Sequence, residues 1–128
     1  MSHAHWIGLP VGKQVRDLLH PADLYSLIKR QLSQIDDHPG EVFNVGGGNR
    51  VSTSLLEMTA LCEEVLGNHV VIESDPQTSP VDIPLYVSDC SEAAHCFDWA
   101  PRRSVRNFVE DIVVWIRENE EPLKRILT

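Results

Sequence analysis

Residues 41–67 read EVFNVGGGNRVSTSLLEMTALCEEVLG and carry the clearest structural signals in the chain. The run EVFNV predicts a short strand, and the three glycines after it predict a tight backbone turn. Ser54 with Glu57 three residues later is the pattern of a capping box, and Gly67 is a residue type that ends helices. The helix between them has an apolar stripe at helical spacing, formed by Leu55, Met58, Leu61, Cys62 and Val65. This order of strand, turn and amphipathic helix is typical of a mixed α/β fold.

Two further amphipathic helices are predicted on either side of this segment. Pro21 suits the first turn of the earlier helix, and Asp23 suits the positive end of its dipole. The later helix begins at Ser104 and frays at its acidic end. The apolar residues of the earlier helix are Leu24, Leu27, Ile28, Leu32 and Ile35. Those of the later helix are Phe108, Val109, Ile112, Trp115 and Ile116.

The remaining stretches predict short strands and loops. HVVIES and LYVSD have the composition of strands, and the Asp that ends LYVSD can cap a short helix from Ser91 to Cys96. PQTSPVDIP is a proline-rich loop. Residues 1–11 have no periodicity and are expected to form an irregular leader. Residues 12–128 are then one small mixed α+β domain, with helices packed on short strands.

Composition excludes several classes of protein. The 128 residues suit one domain, and 42% hydrophobic residues is a globular composition. A formal net charge of −8 argues against a nucleic-acid surface, although basic residues cluster locally. No apolar run reaches the roughly 20 residues of a membrane span, and the N-terminus lacks a signal-peptide pattern, so we expect a cytoplasmic location without membrane contact. The basic clusters are Lys13 with Arg16, and Arg102, Arg103 and Arg106.

The cysteines and histidines do not form a recognisable metal or disulfide pattern. Three widely spaced cysteines suit neither a disulfide framework nor a paired zinc motif, so buried or half-buried thiols are expected. His3 and His5 could join His20 around a metal, but two of the three lie in the irregular leader. We therefore expect no metal. The three cysteines are Cys62, Cys90 and Cys96.

Two short motifs resemble parts of catalytic or cofactor sites. Tyr25 and Lys29 have the spacing that brings a phenol and an ammonium together on a helix face, but a solvated helix face explains them without catalysis. The glycines of VGGGNRVS follow a predicted strand, yet Val51 stands where a dinucleotide fingerprint needs its third glycine. Motifs typical of hydrolases and nucleotide-binding P-loops are missing. From the residues alone, the chain is at most a ligand-binding α/β module.

Five segments in a fixed order carry a resemblance to a known family. The segments are GKQVRDLLHPADL, GEVFNVGGG, SLLEM, VDIPLYVSDCSEA and FDWAPRRSVRNFVEDIVVWI. Through them the chain resembles the C-terminal, substrate-binding part of extended short-chain dehydrogenase/reductase enzymes, namely the NAD-dependent sugar-nucleotide epimerase/dehydratase family and its CDP-paratose (CDP-tyvelose) 2-epimerase-like branch. The resemblance covers about residues 12–119.

The resemblance implies that the two halves of the enzyme have different roles. In the family, an N-terminal Rossmann half binds NAD and carries the catalytic Tyr and Lys, and the C-terminal half closes over the nucleotide-sugar. Tyr25 and Lys29 fall outside the catalytic pair. The resemblance therefore implies no catalytic residue and no cofactor in this chain, with NAD belonging to the full-length enzymes.

The resemblance also assigns two substrate-binding residues. Arg16 matches the arginine that contacts the nucleotide diphosphate, a role suited to a permanently charged, bidentate guanidinium. An ion pair with Asp17 or Asp23 is the structural alternative for Arg16. Asp82 matches the Asp of the family's Arg-x-Gly-Asp loop, but Ser79 replaces its phosphate-binding Arg and Val81 replaces its Gly. Weak binding of the nucleotide-sugar is expected.

Three interpretations of the function stay open at this point. The chain is a nucleotide-sugar-binding portion that is not catalytic alone, a non-catalytic interaction domain that has lost the ligand, or one half of a split epimerase. The apolar surface that normally packs against the Rossmann half is expected to be covered by a Rossmann-half polypeptide or by self-association. The segment GLPVGKQVRD also departs from the family pattern. It runs almost directly from a Gly-x-Pro to GKQ, whereas the family usually has a strand and a turn between such segments.

Overall fold

The computed structural model describes residues 4–7, 12–75 and 83–127. In chain order, its strands are β1 (Ala4–Ile7), β2 (Val15–Asp17), β3 (Ser52–Ser54), β4 (Ile72–Asp75) and β5 (Leu85–Tyr86). Its α-helices are α1 (Pro21–Ser33), α2 (Leu55–Leu66), α3 (Ser91–Phe97), α4 (Val105–Glu118) and α5 (Glu120–Leu127). This is the mixed α/β fold predicted from the sequence.

The strands form two small sheets. β2 is the central strand of the larger sheet, antiparallel to β3 on one side and parallel to β5 on the other. The Val15 N–H extends the second pairing by donating to the Pro84 carbonyl at 3.0 Å. β1 and β4 form a separate parallel pair. The larger sheet therefore places the segment before α1 beside the segment before α3.

The helix starts confirm the local sequence signals. Ser54 and Glu57 form both bonds of a capping box at α2, and Gly67 ends that helix in the left-handed conformation. Ser104 and Asn107 form the same arrangement at α4, with an amide in place of the usual carboxylate. At α1, the His20 ring Nδ1 accepts the Ala22 N–H at 3.1 Å. Each cap binds donors that the first helical turn would otherwise leave unpaired.

The core lies between α1, α3 and the loop after α3. Leu27 and Ala93 are fully buried, and Phe97 and Trp99 are nearly so. The Trp99 indole N–H donates to the Ser26 hydroxyl at 2.8 Å and to the Asp23 carbonyl at 3.2 Å. The core thus joins α1 to residues about 70 positions later in the chain. Leu19, Phe43, Val45 and Cys96 are partly buried against it.

The predicted strand at EVFNV is wrong. Residues 41–45 join neither sheet, and Phe43 and Val45 instead contact the core cluster, with the Phe43 ring 4.9 Å from that of Phe97. A strand needs a ladder partner, and β2 already has one on each side. Phe43 and Val45 are therefore partly buried without a ladder, whereas Val42 is 88% exposed.

Three other expectations need correction. Residues 1–11 are not irregular throughout, because Ala4–Ile7 forms β1. The strand predicted at HVVIES begins only at Ile72. The acidic end of α4 does not simply fray, since α5 follows it after Asn119. β1 pairs with β4, far along the chain, and local periodicity does not reveal such pairings.

None of the helices in the described part of the chain is both long and apolar enough to cross a membrane.

Candidate functional site

Arg16 lies in the middle of the central strand β2. Its register partners are Thr53 on β3 and Tyr86 on β5. Because residues directly opposite on neighbouring strands share a face of the sheet, the three side chains lie in one row. Arg16 is half-buried and its Nη1 donates to the Val15 carbonyl at 2.8 Å, whereas Tyr86 is 54% exposed. This face of the sheet therefore includes a half-buried arginine and an exposed tyrosine.

The two carboxylates considered as ion-pair partners of Arg16 are held by other groups. Asp23 is 2% exposed and binds the Arg103 guanidinium at 2.8 Å. The Asp17 carboxylate accepts the Gly48 N–H at 3.0 Å and is also bound by Ser88. Both carboxylates therefore have hydrogen-bond partners other than Arg16.

Asp17 is held in its charged form. Burial tends to raise the pKa of the Asp17 carboxyl, but hydrogen bonds from Gly48 and Ser88 outweigh that effect and keep this pKa below its ordinary value. A negative charge therefore lies inside the glycine turn near neutral pH.

The glycine turn does not fit a dinucleotide phosphate. The Gly48 N–H is bound to the Asp17 carboxylate, and the Gly46 N–H donates to the Cys90 sulfur at 3.1 Å. A Cβ on Gly46 would overlap the Asp17 carboxylate and the Ser88 hydroxyl. A phosphate would need the same N–H donors and would meet a like charge. The tight turn predicted from the sequence is confirmed, and its Gly46 and Gly48 N–H groups are bound by the protein's own side chains.

A cleft of about 560 Å³ lies beside the glycine turn, between residues 87–91 and the loop at residues 99–101. Cys90 lines this cleft. Burial raises the pKa of the Cys90 thiol, the Gly46 N–H opposes that effect, and the charges of Asp17 and Asp89 add to it. A thiol that stays protonated is a poor nucleophile. Cys90, like Cys62 and Cys96, is the half-buried free thiol expected from the sequence.

Tyr25 and Lys29 lie on one face of α1, as their spacing predicts. The Lys29 ammonium is 5.7 Å from the centre of the Tyr25 ring, and Tyr25 is 63% exposed. This distance suits a cation–π contact on a solvated helix surface.

Some of the residues considered for a site lie outside the described part of the chain. These include Asp82, Ser79, Val81 and His3. Of the histidines considered for a metal, His20 instead caps α1 and contacts Asp111 through Nε2 at 3.0 Å.

Sequence reasoning missed Thr53 and Tyr86 as neighbours of Arg16. Tyr86 lies in the LYVSD segment that was predicted to be extended, and β5 begins one residue before it. The available signal was strand propensity, which predicts an extended segment without specifying its partner strand or register.

Comparisons with known proteins show what the chain resembles. No family model matches it. It is 34% identical to the CDP-paratose 2-epimerase of Salmonella typhi over 110 residues, which is 81% of this chain and 30% of that protein. It is 28% identical to the UDP-glucose 4-epimerase of Yersinia pestis over 113 residues, 88% of this chain and 32% of that protein.

The fold comparison agrees with the sequence comparison. The crystal structure of UDP-glucose 4-epimerase from Stenotrophomonas maltophila, with bound NAD and formylated UDP-arabinopyranose, superposes with a TM-score of 0.80 at 25% identity. The match covers 94% of this chain and 36% of that one. The chain thus spans about one third of the length of each of these proteins.

Proposed function

The chain is related in sequence and in fold to NAD-dependent sugar-nucleotide epimerases and dehydratases, over about one third of the length of those enzymes. We therefore propose that it is a nucleotide-sugar-binding portion of such an enzyme. In this proposal the chain binds and orients the ligand in the cytoplasm and is not catalytic alone. Hydride chemistry on the sugar would be supplied by NAD bound to residues other than those described here.

The row of Arg16, Thr53 and Tyr86 is the observation on which this proposal rests. A guanidinium presents a planar fork of donors that matches the oxygens of a diphosphate. Arg16 sits on a central strand between two paired neighbours, so its backbone is fixed by both ladders. The exposed ring of Tyr86 beside it offers an apolar surface to the rest of the ligand. We assign Arg16 to the diphosphate and propose that Asp82 also contacts the ligand.

Replacing Arg16 by alanine should weaken the binding of nucleoside diphosphates. A hydrogen bond to a charged group contributes about 1.5–3 kcal/mol, which corresponds to a roughly ten- to hundredfold loss of affinity. Titrations of CDP, UDP and dTDP, followed by backbone amide NMR shifts, measure the effect. Arg125→Ala is the matched control, because it removes an exposed arginine from α5. Equal affinity in the Arg16 variant and the wild type would remove Arg16 from the site.

The chain is also expected not to bind NAD. The turn at Gly46–Gly48 supports this expectation, because its N–H groups at Gly46 and Gly48 are already bound and Asp17 places a carboxylate within it. Calorimetric titration with NAD should give no saturable heat, and a nucleoside diphosphate serves as the positive control. Saturable NAD binding would contradict the proposal that the cofactor is held elsewhere.

A specific surface favours the second candidate, an interaction domain without a ligand. α2 and α4 border an apolar groove of about 250 Å³, and Trp115 on α4 is 55% exposed. The second candidate is also favoured by Ser79, which replaces the phosphate-binding Arg of the family. If CDP, UDP and dTDP all fail to shift the wild-type amides, this candidate or the split-enzyme half replaces the first. The groove is lined by Met58, Cys62, Leu66, Phe108, Val109, Ile112, Val113, Ile116 and Arg117.

A further inference from the structure

Three arginines line an open cleft in a chain whose net charge is −8. The cleft has a volume of about 350 Å³. Arg30 reaches it from α1, Arg50 from the turn before β3, and Arg102 from the loop before α4. These three elements are distant in sequence, so the fold rather than a local basic run brings the guanidinium groups together.

Two of the three guanidinium groups are positioned by neutral acceptors. Arg30 Nη1 donates to the Phe97 and Asp98 carbonyls at 2.8 and 2.6 Å. Arg50 Nη1 donates to the Pro101 carbonyl at 3.4 Å. A carbonyl orients a guanidinium without cancelling its charge, and each fork has further N–H donors. These carbonyls therefore cancel neither positive charge, and the carboxylate that lies near Arg30, that of Asp98, is itself fully exposed to water.

Arg102 is anchored through its backbone. Its N–H donates to the buried carboxylate of Asp23 at 3.0 Å, and its side chain lies on the exposed surface that lines the cleft. The neighbouring arginines differ in this respect. The guanidinium of Arg103 is neutralised by Asp23, and that of Arg106 by Glu64. Arg102 thus adds its charge to the cleft, whereas the charges of Arg103 and Arg106 are balanced.

One carboxylate opposes the three arginines among the described residues that line the cleft. Asp98 Oδ2 lies 3.7 Å from Arg30 Nη1, and its side chain is fully exposed to water. The cleft therefore has two positive charges in excess. A phosphate monoester has about −1.5 to −2 charges at pH 7 and three strong acceptor oxygens, so both its charge and its donor requirement match the cleft.

We propose that the cleft lined by Arg30, Arg50 and Arg102 binds a phosphate monoester dianion. This site is separate from the row of Arg16, Thr53 and Tyr86, and it does not depend on the proposed nucleotide-sugar function. The ligand chemistry is shared by inorganic phosphate, small phosphorylated molecules and the phosphoserine of another protein. The two positive charges in excess favour a dianion, and titration with different phosphates distinguishes its sources.

Amide NMR of the full chain tests the proposal. Inorganic phosphate, phenyl phosphate and O-phosphoserine are titrated at constant ionic strength, with glutarate as a dicarboxylate of the same charge. We expect saturable shifts at residues 98–103, and the tightest of the three phosphates identifies the source. Shifts without saturation, or glutarate binding as tightly as phosphate, would overturn the proposal.

Matched double variants separate this site from general electrostatics. R50Q/R102Q should weaken phosphate binding by about fivefold or more, since it removes two charge-assisted contacts, whereas R117Q/R125Q, which removes the same charge from α4 and α5, should weaken it by less than about twofold. Arg30 is left in place because its bonds to Phe97 and Asp98 hold the end of α3. Equal weakening by both double variants would contradict the site.

Two single variants complete the test. D98N removes the opposing carboxylate and keeps a residue type that tolerates the left-handed backbone observed at position 98, so phosphate should bind about twofold more tightly. R16A should leave the phosphate affinity of this cleft unchanged, whatever its effect on nucleoside diphosphates. Weaker binding in D98N, or loss of the 98–103 shifts in R16A, would count against the proposal.

Discussion

Replacing Asp23 by alanine is expected to lower the free energy of unfolding by about 3–5 kcal/mol. Asp23 is 2% exposed, and its carboxylate accepts the Arg102 N–H at 3.0 Å, the Arg103 N–H at 2.9 Å and the Arg103 guanidinium at 2.8 Å. Removing the carboxylate leaves these donors without their acceptor and opens a cavity under α1. Urea denaturation followed by circular dichroism measures the loss.

The control for this variant is Asp36→Ala. Asp36 is an exposed carboxylate just beyond α1, and an exposed substitution of this kind changes stability by about 0.5 kcal/mol or less. If the two variants lost similar amounts of stability, the hydrogen bonds to Asp23 would contribute little to the fold.

The contribution of Asp23 should also depend on pH. Burial tends to raise the pKa of the Asp23 carboxyl, but hydrogen bonds from Arg103 and Arg102 and the charge of Arg103 outweigh it, so the folded-state pKa lies below the ordinary value. Stabilisation is therefore complete above the unfolded-state pKa of about 3.9 and is lost as the pH falls through the lower folded-state pKa. The stability difference between wild type and Asp23→Asn should shrink across this window. A difference that stays constant down to pH 2 would show that the carboxyl charge is not involved.

Gly47→Ala is expected to be the second most damaging substitution, with a loss of about 3 kcal/mol. Gly47 is buried, and a Cβ at this position would overlap the Leu18 carbonyl and lie 2.9 Å from the Val51 Cβ. The Leu18 residue is itself fixed, because its N–H donates to the Val51 carbonyl at 2.8 Å. The methyl group can be accommodated only by moving the backbone. Thermal and urea denaturation measure the cost.

Gly40→Ala separates lack of space from backbone strain. Gly40 has a φ of +77°, and a methyl group at this position would meet nothing within 4 Å, so alanine there should cost about 1–2 kcal/mol from the left-handed conformation alone. Gly47 does not have a positive φ, and its cost arises from contact with the chain. A Gly47→Ala variant more stable than Gly40→Ala would show that the turn can open.

The sequence of residues 41–67 predicted local helix structure correctly but did not predict strand pairing correctly. The capping box at Ser54 and the stop at Gly67 bound α2 as expected, whereas EVFNV in the same segment forms no strand. Both helix signals act between residues that are close in sequence. A strand forms only if another segment supplies its ladder, and in this fold β3 and β5 occupy both sides of β2.

For the candidate site, too, the sequence revealed a local segment but not how distant segments pair. The segment around Arg16 and its family resemblance were evident in the sequence, and the resemblance agrees with the comparisons. The alignment of Arg16 with Thr53 and Tyr86 was not, because register depends on how three separated segments pair. The role of Asp82 stays a prediction, since this residue lies outside the described part of the chain.

The sequence by itself determined helices α1 to α4, the capping box of α2, the tight glycine turn and the mixed α/β class, because each depends on contacts a few residues long or on a periodic apolar pattern. The tertiary structure alone decided which charges meet. Asp23 suits the start of α1 in sequence, yet its carboxylate is bound by Arg103, 80 positions later. Arg30, Arg50 and Arg102 share a cleft for the same reason. Electrostatic partners are set by distance in space. Only the packing of α1 with the turn before β3 and with the loop after α3 brings these charged side chains close together.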